Sequence, residues 1–249
     1  MNIKAFIPNF ITLLNLLCGS IAVIFAVNSH FIFAAFFVFL GIFFDFFDGL
    51  LARKLKVQSE LGLQLDSLAD MVTSGLVPGI VLFKLLELAT NSKAVTPINE
   101  WSETMQWTGY KLNLLPFIGL FVTLASAYRL ARFNIDQEQQ NYFKGLPTPA
   151  NALLILSLPL ILEFQNNDVI NAIILNPWFL VILTIVSCYI LNASIKLFAL
   201  KFKNWSFKPN AVRYIFIILT LVLIVVLHFA AIPVIILLYI FLSLFNNIN

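Results

Sequence analysis

The chain has 249 residues, of which 61% are apolar and only 11% charged, with 26 phenylalanines among them. That balance excludes an ordinary soluble domain, in which about a quarter of residues carry charge, and points to a protein whose solvent is a lipid bilayer. The formal net charge is +3, and no nucleic-acid partner is expected.

Eight apolar runs lie near residues 9–28, 31–52, 64–88, 114–133, 149–164, 177–199, 212–230 and 232–246. A hydrocarbon core of about 30 Å takes roughly 20 helical residues to cross, and these runs are candidates to do so. The predicted fold class is all-α: a polytopic membrane helix bundle of about eight transmembrane helices, in a single domain over 1–249. The fifth and eighth runs are short, so six or seven spans is the alternative count. The first run exceeds a usual signal-peptide core and follows a single lysine, Lys4, so it reads as a retained helix. Cys18 and Cys188 fall inside spans without CxxC spacing and read as small apolar fillers. The longest polar stretch, about 91–113, carries Trp101, Trp107 and Tyr110, which with Trp178 and Trp205 read as interfacial anchors. His30 and His228 sit at span edges with no carboxylate or cysteine close in sequence, and read as structural.

Basic residues orient the bundle, because loops kept in the cytoplasm retain an excess of Lys and Arg. With both termini inside, the cytoplasmic side holds Lys4, Arg53, Lys54, Lys56, Arg129, Arg132, Lys144, Lys196, Lys201, Lys203, Lys208 and Arg213. Only Lys84, Lys93 and Lys111 fall outside. The inner face is therefore far more basic than the net charge implies, which suits an anionic leaflet or substrate.

The chemistry concentrates in one string, DFFDGLLARKLKVQSELGLQLDSLAD, from Asp45 to Asp70. It reads DxxDGxxAR, eight residues, then GxxxDxxxD. The second span ends and the third begins at the cytoplasmic surface, so the four aspartates lie at similar depth. Asp45 and Asp48 are spaced i, i+3, and Asp66 and Asp70 i, i+4, so each pair shares a helix face. An ionised aspartate within a span costs ~2.5–3.5 kcal/mol even on a lenient insertion scale, so four together require compensation. Oxygen-only ligands favour Mg²⁺ or Mn²⁺, with Ca²⁺ as a competitor. Gly49 and Gly62 beside the carboxylates leave room for close helix packing or for a flat ligand such as a nucleotide. Arg53, one turn beyond Asp48, can meet a phosphate or one of the aspartates.

This string resembles the signature of the CDP-alcohol phosphotransferases, integral membrane enzymes that join a CDP-activated group to an alcohol and release CMP. The resemblance implies that Asp45, Asp48 and Asp66 ligate a pair of divalent metals, Mg²⁺ or Mn²⁺, and that Asp70 is both ligand and catalytic base. It assigns Gly49, Ala52, Arg53 and Gly62 to the CDP pocket, with a hydroxyl contact from Ser59. The PNFIT opening of the first span adds Asn9 and Thr12. Three further segments, IPNFITLLNLLCGSIA, AYRLARFNID and FKGLPTPANA, resemble the membrane-embedded bacterial phosphatidylserine synthases. That second resemblance implies CDP-diacylglycerol as donor, L-serine as acceptor and metal-assisted in-line displacement. It also implies a bacterial inner membrane, an active site facing the cytoplasm and a homodimer. The catalytic core would be a six-helix unit over about 7–200, with additional helices over 212–246 in packing or dimer support. Arg129, Arg132 and Lys144 are candidates to bind the acceptor or a lipid phosphate. Glycerol 3-phosphate or inositol is the alternative acceptor. A cation-coupled transporter is the alternative from another class, disfavoured because the aspartates cluster at one face instead of along a path.

Overall fold

A computed structural model describes residues 3–91, 95–97, 110–135, 143–165, 167–197 and 207–246. Lys93, Trp101, Trp107, Lys201, Lys203 and Trp205, to which the sequence assigns anchoring or topological roles, lie outside the described residues.

Helices α1 (Ile3–Val27) and α2 (Phe31–Lys54) form an antiparallel hairpin. The chain reverses at Ser29, which adopts φ 60°, and the His30 amide donates back to the Phe25 carbonyl at 2.9 Å. Ala22 and Ala26 of α1 share one buried core with Ala34, Ala35 and Val38 of α2. Lipid tails are as apolar as leucine, so burying large apolar groups drives little helix association in a bilayer; small residues instead let backbones approach and gain dispersion contact. The large residues of α2 turn outward, with Phe33, Phe36 and Phe43 all exposed.

A short connection with Lys56 at φ 55° leads into α3 (Glu60–Asp70). Ser59 caps this helix, its Oγ accepting the Gly62 N–H at 3.1 Å. One wider π turn, Met71–Leu76, carries α3 directly into α4 (Val77–Ala89), giving a 30-residue helical rod. Pro78 accounts for the widening. It has no N–H to return to the Ser74 carbonyl, so the ladder loosens there, and the Val77 N–H bonds Val72, five residues back.

Beyond α4, two short strands, β1 (Val95–Pro97) and β2 (Tyr110–Leu112), pair antiparallel. A 3₁₀ turn, Leu115–Leu120, then enters α5 (Phe121–Ile135). The two-residue strands β3 (Phe143–Lys144) and β4 (Lys196–Leu197) fasten the segment before α6 (Thr148–Phe164) to the segment after α8 (Pro177–Asn192). Gly145, at φ +73°, sits against the Leu191, Ile190 and Ala193 carbonyls where no side chain fits. The short α7 (Asp168–Ile174) meets α8 at 61°. Helices α9 (Phe207–Leu227) and α10 (Ala231–Asn246) fold back on each other at His228, φ 49°. The Phe216 and Tyr239 rings lie 5.6 Å apart, whereas the same residues on one continuous helix would stand ~34 Å apart.

The protein is an all-α integral membrane bundle, and each of the eight predicted runs overlaps helix, although the run at 177–199 is helical only to Asn192. Among the described residues, four stretches are long and apolar enough to cross a membrane: Phe6–Val27, Phe31–Lys54, Glu60–Ala89 and Asn210–Leu244, the last being the α9–α10 hairpin. The bent α7–α8 pair makes a fifth if it is one broken span. At 15 and 17 residues α5 and α6 fall below that length, so the length and apolarity of the described helices support four or five spans and do not establish the expected eight.

Candidate active site

The start of α1, the end of α2 and the start of α3 meet at one end of the bundle, and the aspartates converge there. Asp45, Asp48 and Asp66 each offer a carboxylate oxygen, all within 4.8 Å of one another. Asp48 is 4% exposed, and its Oδ2 accepts a 2.5 Å hydrogen bond from Thr12 Oγ1. Among the described residues, no Lys or Arg forms an ion pair with these three carboxylates. Three acidic groups at this spacing need a compensating positive charge, and an all-oxygen donor set suits a hard divalent cation.

Asp70 lies one turn farther along α3, outside that triad but within electrostatic reach of Asp66, Asp48 and Arg129. Its Oδ1 faces Asn15 Nδ2 at 3.4 Å. Three residues before Asp70, Ser67 exchanges side-chain hydrogen bonds of 2.9 and 3.1 Å with Asn134, which fastens α3 to α5.

A cavity of about 770 Å³ opens beside the triad. Its walls include Asn9 and Thr12 from α1, Asp45, Asp48, Gly49, Ala52 and Arg53 from α2, and Ser59, Gly62 and Asp66 from α3. The sequence-predicted nucleotide residues thus line one space. The two glycines differ in what they permit. A Cβ at Gly62 would press on Asn9 Oδ1 at 3.2 Å and Ser59 Oγ at 3.3 Å, so this glycine serves close packing. A Cβ at Gly49 would meet only the Arg53 guanidinium, at 3.9 Å, so its missing side chain keeps the cavity open. The Ser59 hydroxyl accepts from Gly62 as the helix cap, which leaves its own proton free for a ligand.

Arg129, Arg132 and Lys144 line a second, much smaller cleft with Asn192, and Phe133 forms the wall it shares with the large cavity. Arg129 is buried, at 8% exposure, and its Nε has no hydrogen-bond partner. The three cations therefore share one cleft, and Phe133 lines both it and the cavity beside the triad. Sequence reasoning missed Asn15, Thr73, Phe133 and Asn192. Asn15 carried a usable signal: it stands three residues after Thr12 and six after Asn9, so the polar groups of an apolar helix recur at helical spacing. The others become legible only when helices distant in sequence meet.

A membrane helix bundle with three convergent carboxylates that could hold a metal, on the wall of a roomy cavity at one end, defines a class of membrane-embedded enzyme. Comparison with known proteins narrows the class. Residues 5–189 match the model of the CDP-alcohol phosphatidyltransferase family, and the chain belongs to that family. It is 33% identical over 172 residues to a CDP-diacylglycerol–serine O-phosphatidyltransferase of Bacillus subtilis, covering 68% of this chain and 81% of the relative. A protein of the same name from Methanocaldococcus jannaschii is 30% identical over 168 residues, covering 68% and 66% respectively. One from Saccharomyces cerevisiae is 32% identical over 134 residues, covering 50% and 40%.

Proposed function

We propose that the protein transfers the phosphatidyl group of CDP-diacylglycerol to the hydroxyl of L-serine, forming phosphatidylserine and CMP. The observation that carries this reading is the convergence of the triad and the entire DxxDGxxAR…GxxxD wall on one 770 Å³ cavity. The names of the relatives supply the acceptor. The same reading places the protein in a bacterial inner membrane with its cavity facing the cytoplasm. It takes about 7–200 as the catalytic core, 212–246 as added support, and a homodimer as the working form.

Asp45, Asp48, Asp66 and Asp70 would hold the metal, read as two Mg²⁺ or Mn²⁺ ions. A divalent cation bound there supplies charge neutralisation for the pyrophosphate and for departing CMP. Arg53 pairs with a phosphate, and Asn9, Thr12, Gly49, Ala52, Ser59 and Gly62 seat the cytidine. Asp70 accepts the proton of the serine hydroxyl while the serine oxygen forms a bond to the phosphorus bearing diacylglycerol, and the bond from that phosphorus to CMP breaks. Arg129, Arg132 and Lys144, in the adjoining cleft, hold the serine carboxylate or a lipid phosphate.

The test is CMP release by the purified protein from CDP-diacylglycerol with Mg²⁺ or Mn²⁺, offering serine, glycerol 3-phosphate or inositol in parallel. Release with serine alone is expected. Release with another acceptor would keep the chemistry and replace the product, and no release under any condition would overturn the reading.

A further inference from the structure

Asn15 and Thr73 are both fully buried in the membrane bundle, where an idle polar group is costly, and neither lines the cavity. Their hydrogen bonds lead to Asp70. Thr73 Oγ1 lies 2.8 Å from Asn15 Oδ1 and 3.2 Å from the Asn15 backbone oxygen, while Asn15 Nδ2 points at Asp70 Oδ1 across 3.4 Å. The amide has one chemically sensible orientation. Reversed, it would set its oxygen against the Asp70 carboxylate, acceptor facing acceptor. In the sensible orientation, with the NH₂ aimed at Asp70, the single Thr73 proton is offered to the Asn15 side-chain oxygen, the nearer of its two acceptors.

Two further features hold the arrangement. Thr73 sits within the π turn that begins immediately after Asp70. The wider turn gives Thr73 a different angle about the helix axis, relative to Asp70, from the one a regular α-helix would set. The backbones of α1 and α2 then close over the pair: a Cβ at Gly41 would lie 2.7 Å from Thr73 Cγ2 and 2.8 Å from Asn15 Oδ1, and one at Gly19 would run into Thr73 Oγ1.

We propose that Asn15 and Thr73 are a positioning pair, in which the Thr73 hydroxyl orients the Asn15 amide and the amide in turn holds the Asp70 carboxylate in the geometry needed to take a proton from the acceptor alcohol. This rests on the reading of Asp70 as base. The pair touches no substrate; it acts through Asp70 alone.

The experiment measures kcat and KM for CMP release by the full-length protein, with CDP-diacylglycerol, serine and Mg²⁺. Thr73→Val, nearly the same shape without the hydroxyl, and Asn15→Leu are each expected to lower kcat about tenfold or more, with KM for CDP-diacylglycerol within about twofold. The double variant should be no slower than Asn15→Leu alone, because Thr73 works only through Asn15. Thr73→Ser, which restores the hydroxyl, should recover most of kcat. Losses that multiply in the double variant, a loss confined to KM, a native rate for Thr73→Val, or a Thr73→Ser variant as slow as the valine would each overturn the pair. Should Thr73→Val not fold, Thr73→Ala is read by the same criteria. Asp70→Asn serves as the control: a native rate there overturns the base and the pair together, whereas a dead Asp70→Asn beside a native Thr73→Val overturns the pair only.

Discussion

The first three helices and the α9–α10 hairpin are both made mainly of apolar residues, yet they use their few polar groups in opposite ways. At the open end of α1–α3, Thr12, Asp45, Asp48 and Asp66 turn inward on a cavity. The hairpin shows Val225, Val226 and Leu237 to the outside and is held to the bundle at its bend. There Gln165, at the end of α6, donates to the Leu227 carbonyl and accepts from the Ala230 N–H, both at 2.9 Å. In the first half of α10, Ile236 packs with Leu146 and Leu197. In a bilayer, apolar surface does not distinguish a working region from a supporting one; the placement of carboxylates and amides does.

The contrast can be broken most forcefully at the triad. Asp66→Asn removes one of three convergent charges, and CMP release is expected to fall on the order of 10²- to 10³-fold while the variant still purifies as a folded protein. Activity within a few-fold of native would show that the cluster is an accident of packing. A smaller effect is expected at Gly49, where valine would project into open space next to Arg53. Obstructing a well-fitted site by this amount costs about 1–3 kcal/mol, so KM for CDP-diacylglycerol should rise about 5- to 150-fold with the fold intact, as read by substrate titration. An unchanged KM would mean that the nucleotide does not pass this wall. The smallest effect belongs to the hairpin. Gln165→Leu removes two hydrogen bonds at the bend and should lower stability by about 1–3 kcal/mol in detergent unfolding, with kcat within about twofold of native. A kcat that falls in step with stability would instead tie the hairpin to the chemistry.

Much of the site was readable because its residues fall in one continuous stretch of chain. Asp45 through Asp66 span two helices joined by a short connection, so the i, i+3 spacing and the shared membrane depth bring the carboxylates together whatever the rest of the bundle does. The opposite meanings of Gly49 and Gly62 were not readable, since a glycine in sequence records only a missing side chain; what would have met that side chain depends on Asn9 and Arg53. The eight helical runs were legible from apolarity, but the 61° bend between α7 and α8 and the reversal at His228 were not.

Sequence by itself determined that this is a membrane protein, roughly where its helices run, and that four aspartates gather at one surface, because apolar length and helical periodicity are local properties of the chain. Tertiary structure alone decided that three of those aspartates converge while Asp70 stands a turn away beside Asn15, that Phe133 lines both the acidic cavity and the basic cleft, and that Thr73 reaches Asn15 across 58 positions of chain. Contacts of that kind depend on which helix faces meet, and only the assembled bundle sets that.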